Sequence, residues 1–464
     1  MANLDRLSAI VGAANFSQEN NTLQKYSRDP SPFPAVVPAA VVTPTSIEMI
    51  SQILEFCNET KTPVFPFGSG YSFTGLSNRR PGHAIAVDLK KMDRLIEINE
   101  GTLTVRAEAG IIVGDLADRV REKGYYVNTV AVPYYQDTLG GMISGVVGGG
   151  YPLYSSGVGL NNKHIVGLKV VLPTGAIVQT NSGAFMRETN SPDVTGLFIG
   201  DGGIFGIKAE ATLAMYPIPP FWKSGSFFFP DFVNAFNALV KASSSEEVRA
   251  EYLNLLGPEL TGIYRSGDPK VLSIVYYLHG FTSADVEYRA SQAEKLFRDA
   301  GSTPGSESLS KFAEGIRTGQ AYSRPSEYSE TLVRRTACAF FASKVSFREI
   351  FSSIYSDLQK GVAAADSRKI TLSYVIHPVM RNCLWANIIL NYTAEDSIEE
   401  VYQLIRAAHI QAANLGVTFE THSGFAADLM GARWSGEFRN FISSLKHTLD
   451  PNNILNPDLW FAKN

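Results

Sequence analysis

The sequence predicts an α+β protein built from two unlike halves, and three observations carry that expectation. Glycine-rich loops recur between predicted strands and helices before Pro217. The cluster Pro217, Pro219 and Pro220 then closes that half, since proline cannot donate to a strand ladder. Beyond it glycine thins out, and amphipathic helices alternate with apolar strands. The expected organisation is a first domain over residues 1–217, a second over 218–415 that covers it, and a C-terminal segment over 416–464.

TPTSIEMISQILEFCNET has Thr45 and Glu48 in capping-box spacing and sets Ile47, Ile50, Leu54 and Cys57 on one helical face. PVFPFGSGYSFTG reads as a short strand running into a loop with Gly68, Gly70 and Gly75, and HAIAVDL and LTVRAEAG alternate as strands do. Residues 113–123 form a helix stopped by Gly124, and DTLGGMISGVVGGG follows, dense in glycine. HIVGLKVVLPTGAIVQT is a hairpin turning at Pro173 to Gly175. FIGDGGIFGIKAEATLAMYPIPP is a third glycine loop entering an alternating strand.

In the second half, SADVEYRASQAEKLFRDAG is an amphipathic helix, and VLSIVYYLHGF and LWANIILNY are strands. A helix from about Ser397 to Leu415 takes Asp396 and Glu399 as its start signal and Gly416 as its stop. The end of the chain, closing on DPNNILNPDLWF, is expected to be a short helix and an ordered tail.

Composition narrows the function. With 464 residues, 45% hydrophobic and 19% charged, the chain is long enough for real cores. Its net charge of -4 and the lack of any Lys/Arg run offer no basic field for nucleic acid. Cys57, Cys338 and Cys383 are an odd number without C-x-x-C spacing, and read as buried thiols of a reducing compartment. The N-terminal residues show no signal-peptide pattern and no apolar run reaches membrane-spanning length, so a cytoplasmic location is expected.

Three glycine loops in this order exceed what turns require. Glycine lets the backbone approach a ligand closely and aim successive N–H groups at phosphate oxygens, so a pyrophosphate is the natural guest. The sequence has no G-x-x-x-x-G-K-[ST], and no G-x-G-x-x-G opens a helix after the first strand. The cradle therefore belongs to neither a P-loop nor a Rossmann fold.

PFGSGYSFTG, QDTLGGMISGVVGGG, HIVGLKVVLPTGAIVQT, TGLFIGDGGIFGIKAEATL and DPNNILNP, in that order, resemble the FAD-linked oxidase superfamily of vanillyl-alcohol oxidase and p-cresol methylhydroxylase, which includes D-lactate and glycolate dehydrogenases. The resemblance implies a two-subdomain PCMH-type FAD-binding domain, an α+β cap with a ferredoxin-like antiparallel sheet, and a chain end that returns to the FAD domain. It assigns cofactor contacts to Pro66, Gly68, Ser69, Gly70, Tyr71, Ser72 and Gly75. Further contacts fall on Thr138, Leu139, Gly140, Gly141, Ser144 and Gly145, then on Gly203, Gly206 and Ile207, and last on Asn456.

Related oxidases that bind FAD covalently use a histidine where this chain has Tyr71, or a cap histidine that aligns near Leu384 or Trp385. Dissociable FAD is expected. The metal-binding clusters of the D-lactate branch are incomplete, because His377 lacks a partner histidine and Thr421-His422-Ser423 lacks the carboxylate, so no metal is expected.

The implied activity is hydride transfer from the CH–OH or benzylic carbon of a small organic substrate to flavin N5. A D-2-hydroxy-acid dehydrogenase is the alternative, and a redox-inactive flavin-fold binding protein is an alternative of another class. His377, Arg381, Glu420 and His422 are the catalytic candidates that the resemblance brings to the substrate side. His422 and His377 suit a general base or substrate hydrogen bond, or else a structural histidine. Arg381 suits a carboxylate anchor, the reduced flavin, or an interdomain salt bridge. Glu420 suits a base or the partner of a cation. Oxygen, a quinone or a cytochrome all remain open as electron acceptor, as does the oligomeric state, for which a homodimer is one option.

Overall fold

The computed structural model describes residues 4–70, 82–127, 137–145, 164–181, 187, 192–263, 271–318, 334–365, 370–380, 382–393, 397–419, 424–457 and 459–461. Three sheets organise these residues. The first runs in the order β1-β2-β4-β3, from β1 (Phe16–Ser17), β2 (Ala40–Val42), β3 (Val64–Phe67) and β4 (Ile85–Asp88). β2 and β3 both lie parallel to β4. Parallel neighbours need a crossover, and after α1 (Asp5–Val11) and α2 (Asn20–Lys25) it is α3 (Ile47–Thr60) that supplies it, burying Ile50, Ile53, Leu54 and Cys57 on the sheet.

The cap of α3 differs from the expected one. Ser46, in extended conformation, accepts from the Met49 amide, while Thr45 contacts the Met49 sulfur. The helix starts one residue later than the Thr45–Glu48 spacing implies, because only an extended residue directly before the first helical turn points its hydroxyl at the third amide.

The second sheet is antiparallel and centres on β10 (Ile207–Pro217). Its other strands are β5 (Leu95–Asn99), β6 (Thr104–Glu108), β7 (Tyr125–Val127), β8 (Ile165–Val171) and β9 (Ile177–Gln179). β10 pairs with β6 and β8 along its flanks and with β7 at its end. The expected hairpin is present, with Gly175 at φ +86° in the turn between β8 and β9. Helices α4 (Val113–Arg121) and α5 (Leu139–Ser144) cover this sheet, burying Leu116, Val120, Leu139, Met142 and Ile143 against Val105, Leu168, Val170 and Leu213.

The third sheet takes the order β14-β11-β13-β12-β16-β17-β15-β18 and is antiparallel at every printed pair. Its strands are β11 (Phe221–Phe229), β12 (Tyr252–Leu256), β13 (Leu272–Gly280), β14 (Thr303–Pro304), β15 (Arg334–Ser343), β16 (Ile370–Met380), β17 (Cys383–Tyr392) and β18 (Thr418–Phe419). One face packs on α6 (Phe232–Ser244), α8 (Ser283–Asp299), α10 (Phe347–Ala364) and α11 (Ile398–Asn414). Between these, α7 (Pro258–Ile263) follows β12, and α9 (Glu307–Thr318) lies on the opposite face, where Leu309 and Ala313 meet Tyr252, Leu256, Val275 and Tyr277.

The chain end holds two helices, α12 (Gly424–Ala432) and α13 (Gly436–Leu449), rather than the single short one expected. The small apolar run GFAADLMGA carries little periodicity, so its helix was not legible before Ser435 capped the next. After α13, Leu455 forms a parallel bridge to Val64, adding the tail to the first sheet. Cys57 and Cys338 are buried, and burial pushes the Cys57 thiol up to about 12. Cys383 is only half-buried at the start of β17, which corrects its reading as a buried thiol.

Candidate active site

The three glycine-bearing segments meet at one place. The loop leaving β3 lies against Thr138, so close that a Cβ on Gly68 would stand 2.3 Å from Thr138 Oγ1. Ser69 Oγ donates to Asp137 Oδ1 at 2.9 Å, fastening the same loop to the start of α5. Leu139 N donates to Ile111 O at 2.9 Å and Gly140 N to Ala109 O at 2.7 Å, seating α5 on the exit of β6. A Cβ on Gly140 would come within 2.8 Å of Ala109 Cβ, so glycine is needed for this seat. Thr138 caps the helix through Gly141 N, and its C-terminal residue Ser144 accepts from Gly202 N at 2.9 Å, which brings in the third loop.

That third loop is shaped by a buried charge. Asp201 accepts from the amides of Gly203 and Phe205 and pairs with the buried Lys208 ammonium. Burial pulls the Lys208 pKa down, and Asp201 offsets part of that pull. Gly200, Gly202 and Gly203 all have positive φ, which lets the loop turn tightly around this carboxylate. Asn456, in the tail, donates from Nδ2 to Gly202 O at 2.7 Å. A Cβ on Gly203 would lie 3.0 Å from Asn456 Nδ2 and 3.2 Å from Pro66 Cγ, and one on Gly206 2.4 Å from Val170 Cγ1. Ile207, at the start of β10, is buried in the first-sheet core.

Pro66, Gly68, Ser69, Gly70, Thr138, Leu139, Gly140, Gly141, Ser144, Gly145, Gly203, Gly206, Ile207 and Asn456 are thus described positions on or beside this junction. Tyr71, Ser72 and Gly75 lie outside the described residues, as do the catalytic candidates Arg381, Glu420 and His422. A diphosphate fits the chemistry of the junction. Glycine lets these backbone segments pack directly against Thr138, Pro66 and Asn456, and such close, uncharged glycine turns are the donor set from which a phosphate cradle without a cation is built.

The remaining catalytic candidate, His377, stands on β16 opposite Trp385 of β17, its ring stacked 4.4 Å from the indole. Both are buried on the sheet face away from the main helical core. The period of two along each strand puts Ser373 and Val375, and Asn387 and Ile389, on that same face. Ile389, with Ala337 of β15, packs into the core of the second sheet, so this face looks toward the first half of the molecule.

Two polar atoms here decide the chemistry. Asn387 Oδ1 and Ser373 Oγ are buried and have no hydrogen-bond partner among the described residues. A buried polar atom left unsatisfied costs about 1–3 kcal/mol, so such atoms mark places where another molecule completes the bonding. Sequence reasoning missed both. Their signal was there: a polar residue interrupting each of the apolar strands ITLSYVIHP and LWANIILNY at an inward position. Among the described residues no group of three or more His, Cys, Asp or Glu stands together as a metal site.

Comparison with known proteins agrees with this geometry. A family model described as an FAD binding domain matches residues 38–181. The glycolate oxidase subunit GlcD of Bacillus subtilis (strain 168) is 26% identical over 99% of this chain and 96% of its own length. A probable mitochondrial D-lactate dehydrogenase of Danio rerio is 23% identical over 97% of this chain and 89% of its own. Among solved structures, 4-ethylphenol oxidase from Gulosibacter chungangensis superposes with TM-score 0.82 over 98% of this chain and 96% of its own, at 17% identity. p-Cresol methylhydroxylase gives TM-score 0.79 at 17% identity, over 99% of this chain and 96% of its own.

An FAD binding domain joined to an antiparallel cap sheet, in a chain that resembles flavin oxidases and dehydrogenases along nearly its whole length, marks a flavin-dependent oxidoreductase. Residues 38–181 are an FAD binding domain, the chain shares the fold of 4-ethylphenol oxidase and p-cresol methylhydroxylase, and its cofactor is FAD. No helix among the described residues is long and apolar enough to cross a membrane.

Proposed function

We propose that this chain oxidises the CH–OH carbon of a small substrate lodged between the glycine junction and the open face of the third sheet, with 2-hydroxy acids as the first substrate class. The observation that carries the reading is the pair of buried atoms Asn387 Oδ1 and Ser373 Oγ, without partners among the described residues, on the same sheet face as His377. Asn387 Oδ1 accepts from the substrate hydroxyl on binding, before that single proton turns to His377 for transfer, and Ser373 serves a second polar group. His377, fixed by stacking on Trp385, takes the hydroxyl proton, and Arg381 anchors the carboxylate. Bound FAD supplies the hydride-accepting ring. The near full-length likeness to a glycolate oxidase subunit and to a probable D-lactate dehydrogenase supports this class.

A benzylic alcohol is the second reading, supported by the aromatic surroundings of the same face, where Trp385 and Phe341 pack with Val379. We further propose that FAD is dissociable and held by the contacts named above, because a tyrosine occupies position 71 and Leu384 and Trp385 cannot form a histidyl bond. Anaerobic mixing of the holoenzyme with D- and L-2-hydroxy acids, benzylic alcohols and alkylphenols tests the substrate class by bleaching of the flavin absorbance. Bleaching by 2-hydroxy acids supports the first reading. Bleaching by benzylic substrates alone replaces it. Acid precipitation should leave a yellow supernatant, and a yellow pellet overturns the dissociable cofactor.

A further inference from the structure

We infer that Lys446 is a positioning residue for the cofactor: through a buried clamp it joins the chain end to two of the three glycine segments and sets the affinity for FAD. Lys446 is 6% exposed, and its ammonium donates to Ile204 O at 2.8 Å and Leu455 O at 2.7 Å while pairing with buried Asp450. One cation therefore holds the third glycine loop and the tail at once. Asp450 completes the clamp by accepting from Ile454 N and Leu455 N, both at 2.9 Å.

The tail that these bonds shape is the part that touches the junction. Val64 N donates to Ile454 O at 2.7 Å and Asn456 N to Val64 O at 3.0 Å, two residues before Pro66. Asn456 then reaches Gly202 O, with Gly203 and Pro66 on either side. Lys446 thus fixes the spacing between the 66–70 loop and the 200–206 loop without itself standing at the junction. A buried ammonium with two carbonyls and a carboxylate to satisfy tolerates only one arrangement of its partners, because an unmet donor or an unpaired charge at that depth is costly. Asp201 with Lys208 shapes the loop from within, whereas Lys446 ties it to the rest of the molecule.

The inference rests on the proposed placement of FAD on the glycine segments. Its test uses the full-length K446M/D450N protein, in which the charges are removed together so that no carboxylate is left buried alone. FAD is titrated into the apoprotein by flavin fluorescence, and thermal unfolding of the apoprotein is followed in parallel. We expect the dissociation constant for FAD to rise about tenfold or more, with the apoprotein still folded and with substrate KM unchanged at saturating FAD. A folded double variant whose FAD affinity stays within about twofold of wild type overturns the clamp.

Hydrogen exchange on the wild-type protein tests the same idea without a variant. If FAD binds only the clamped form, reciprocity requires that saturating FAD slow the opening of the amides of Ile454, Leu455 and Asn456 by about tenfold or more. Identical exchange at these amides with and without FAD overturns the inference. A control separates its failure from that of the cofactor reading. Gly68→Ala should weaken FAD binding if the glycine segments hold the cofactor; a normal affinity there sinks that placement itself.

Discussion

The two halves of the molecule are held together by different physics. The first relies on close backbone approach and buried ion pairs: Gly68 against Thr138, Gly140 against Ala109, Lys208 with Asp201 and Lys446 with Asp450. The second has a buried pair of its own, Arg289 with Glu251, but adds aromatic packing, with Phe232, Phe347, Phe351, Tyr355 and Tyr374 in one stacked and edge-on cluster under the third sheet. Glycines and fixed charges give a junction whose shape barely yields, as the proposed diphosphate cradle needs. An apolar core gives stability while leaving one sheet face free to carry varied side chains, as a substrate platform needs.

The sharpest way to break this contrast is Gly110→Ala. A Cβ there would stand 1.9 Å from Leu89 O and 2.7 Å from Met92 O, and backbone has nowhere to move. The expected loss is about 4 kcal/mol of stability together with FAD binding, read by thermal unfolding and flavin fluorescence. A folded variant with normal FAD affinity would show that the first half is more pliable than its contacts imply.

Phe351→Ala is the counterpart in the second half. Phe351 is 2% exposed, and its removal should cost about 3–4 kcal/mol by denaturant titration while leaving FAD affinity of the folded fraction unchanged. Loss of FAD affinity in step with stability would mean that the halves are not separable.

Acid should strike the second half through His409. Burial holds its imidazole down at about 4, with Nδ1 against Ile405 O and the ring beside Phe419. The unfolded chain takes up this proton near pH 6.5 and the folded one only near 4, so the unfolded state binds more protons between them. Stability is full above pH 6.5 and falls by roughly 3 kcal/mol as pH drops to 4, at order-of-magnitude accuracy. His409→Gln should flatten that slope; an unchanged slope would assign the acid sensitivity elsewhere.

The smallest effect expected is on the substrate face. Asn387→Ala should raise substrate KM or lower kcat by about tenfold, with stability and FAD affinity preserved, since the Oδ1 atom it removes has no described partner to lose. Steady-state kinetics beside a flavin titration would distinguish this from a structural role.

Much of the architecture was legible from residue patterns. Alternation along β10, the hairpin at Gly175, the stop of α11 at Gly416 and the three glycine loops all depend on neighbours within a few positions. Local rules fell short where a choice was close, as with Ser46 over Thr45, and where periodicity was weak, as in α12.

The chain itself determined its elements, its class and the family of its cofactor, because glycine, proline and hydrophobic period act over a turn or a strand. Tertiary structure alone decided that Lys446 reaches across to Ile204, that the tail bridges Val64, and that Asn387 Oδ1 and Ser373 Oγ lie buried on the face of His377 without partners among the described residues. Those relations join residues far apart in sequence, and their energies exist only once burial has removed the water that would otherwise satisfy each group.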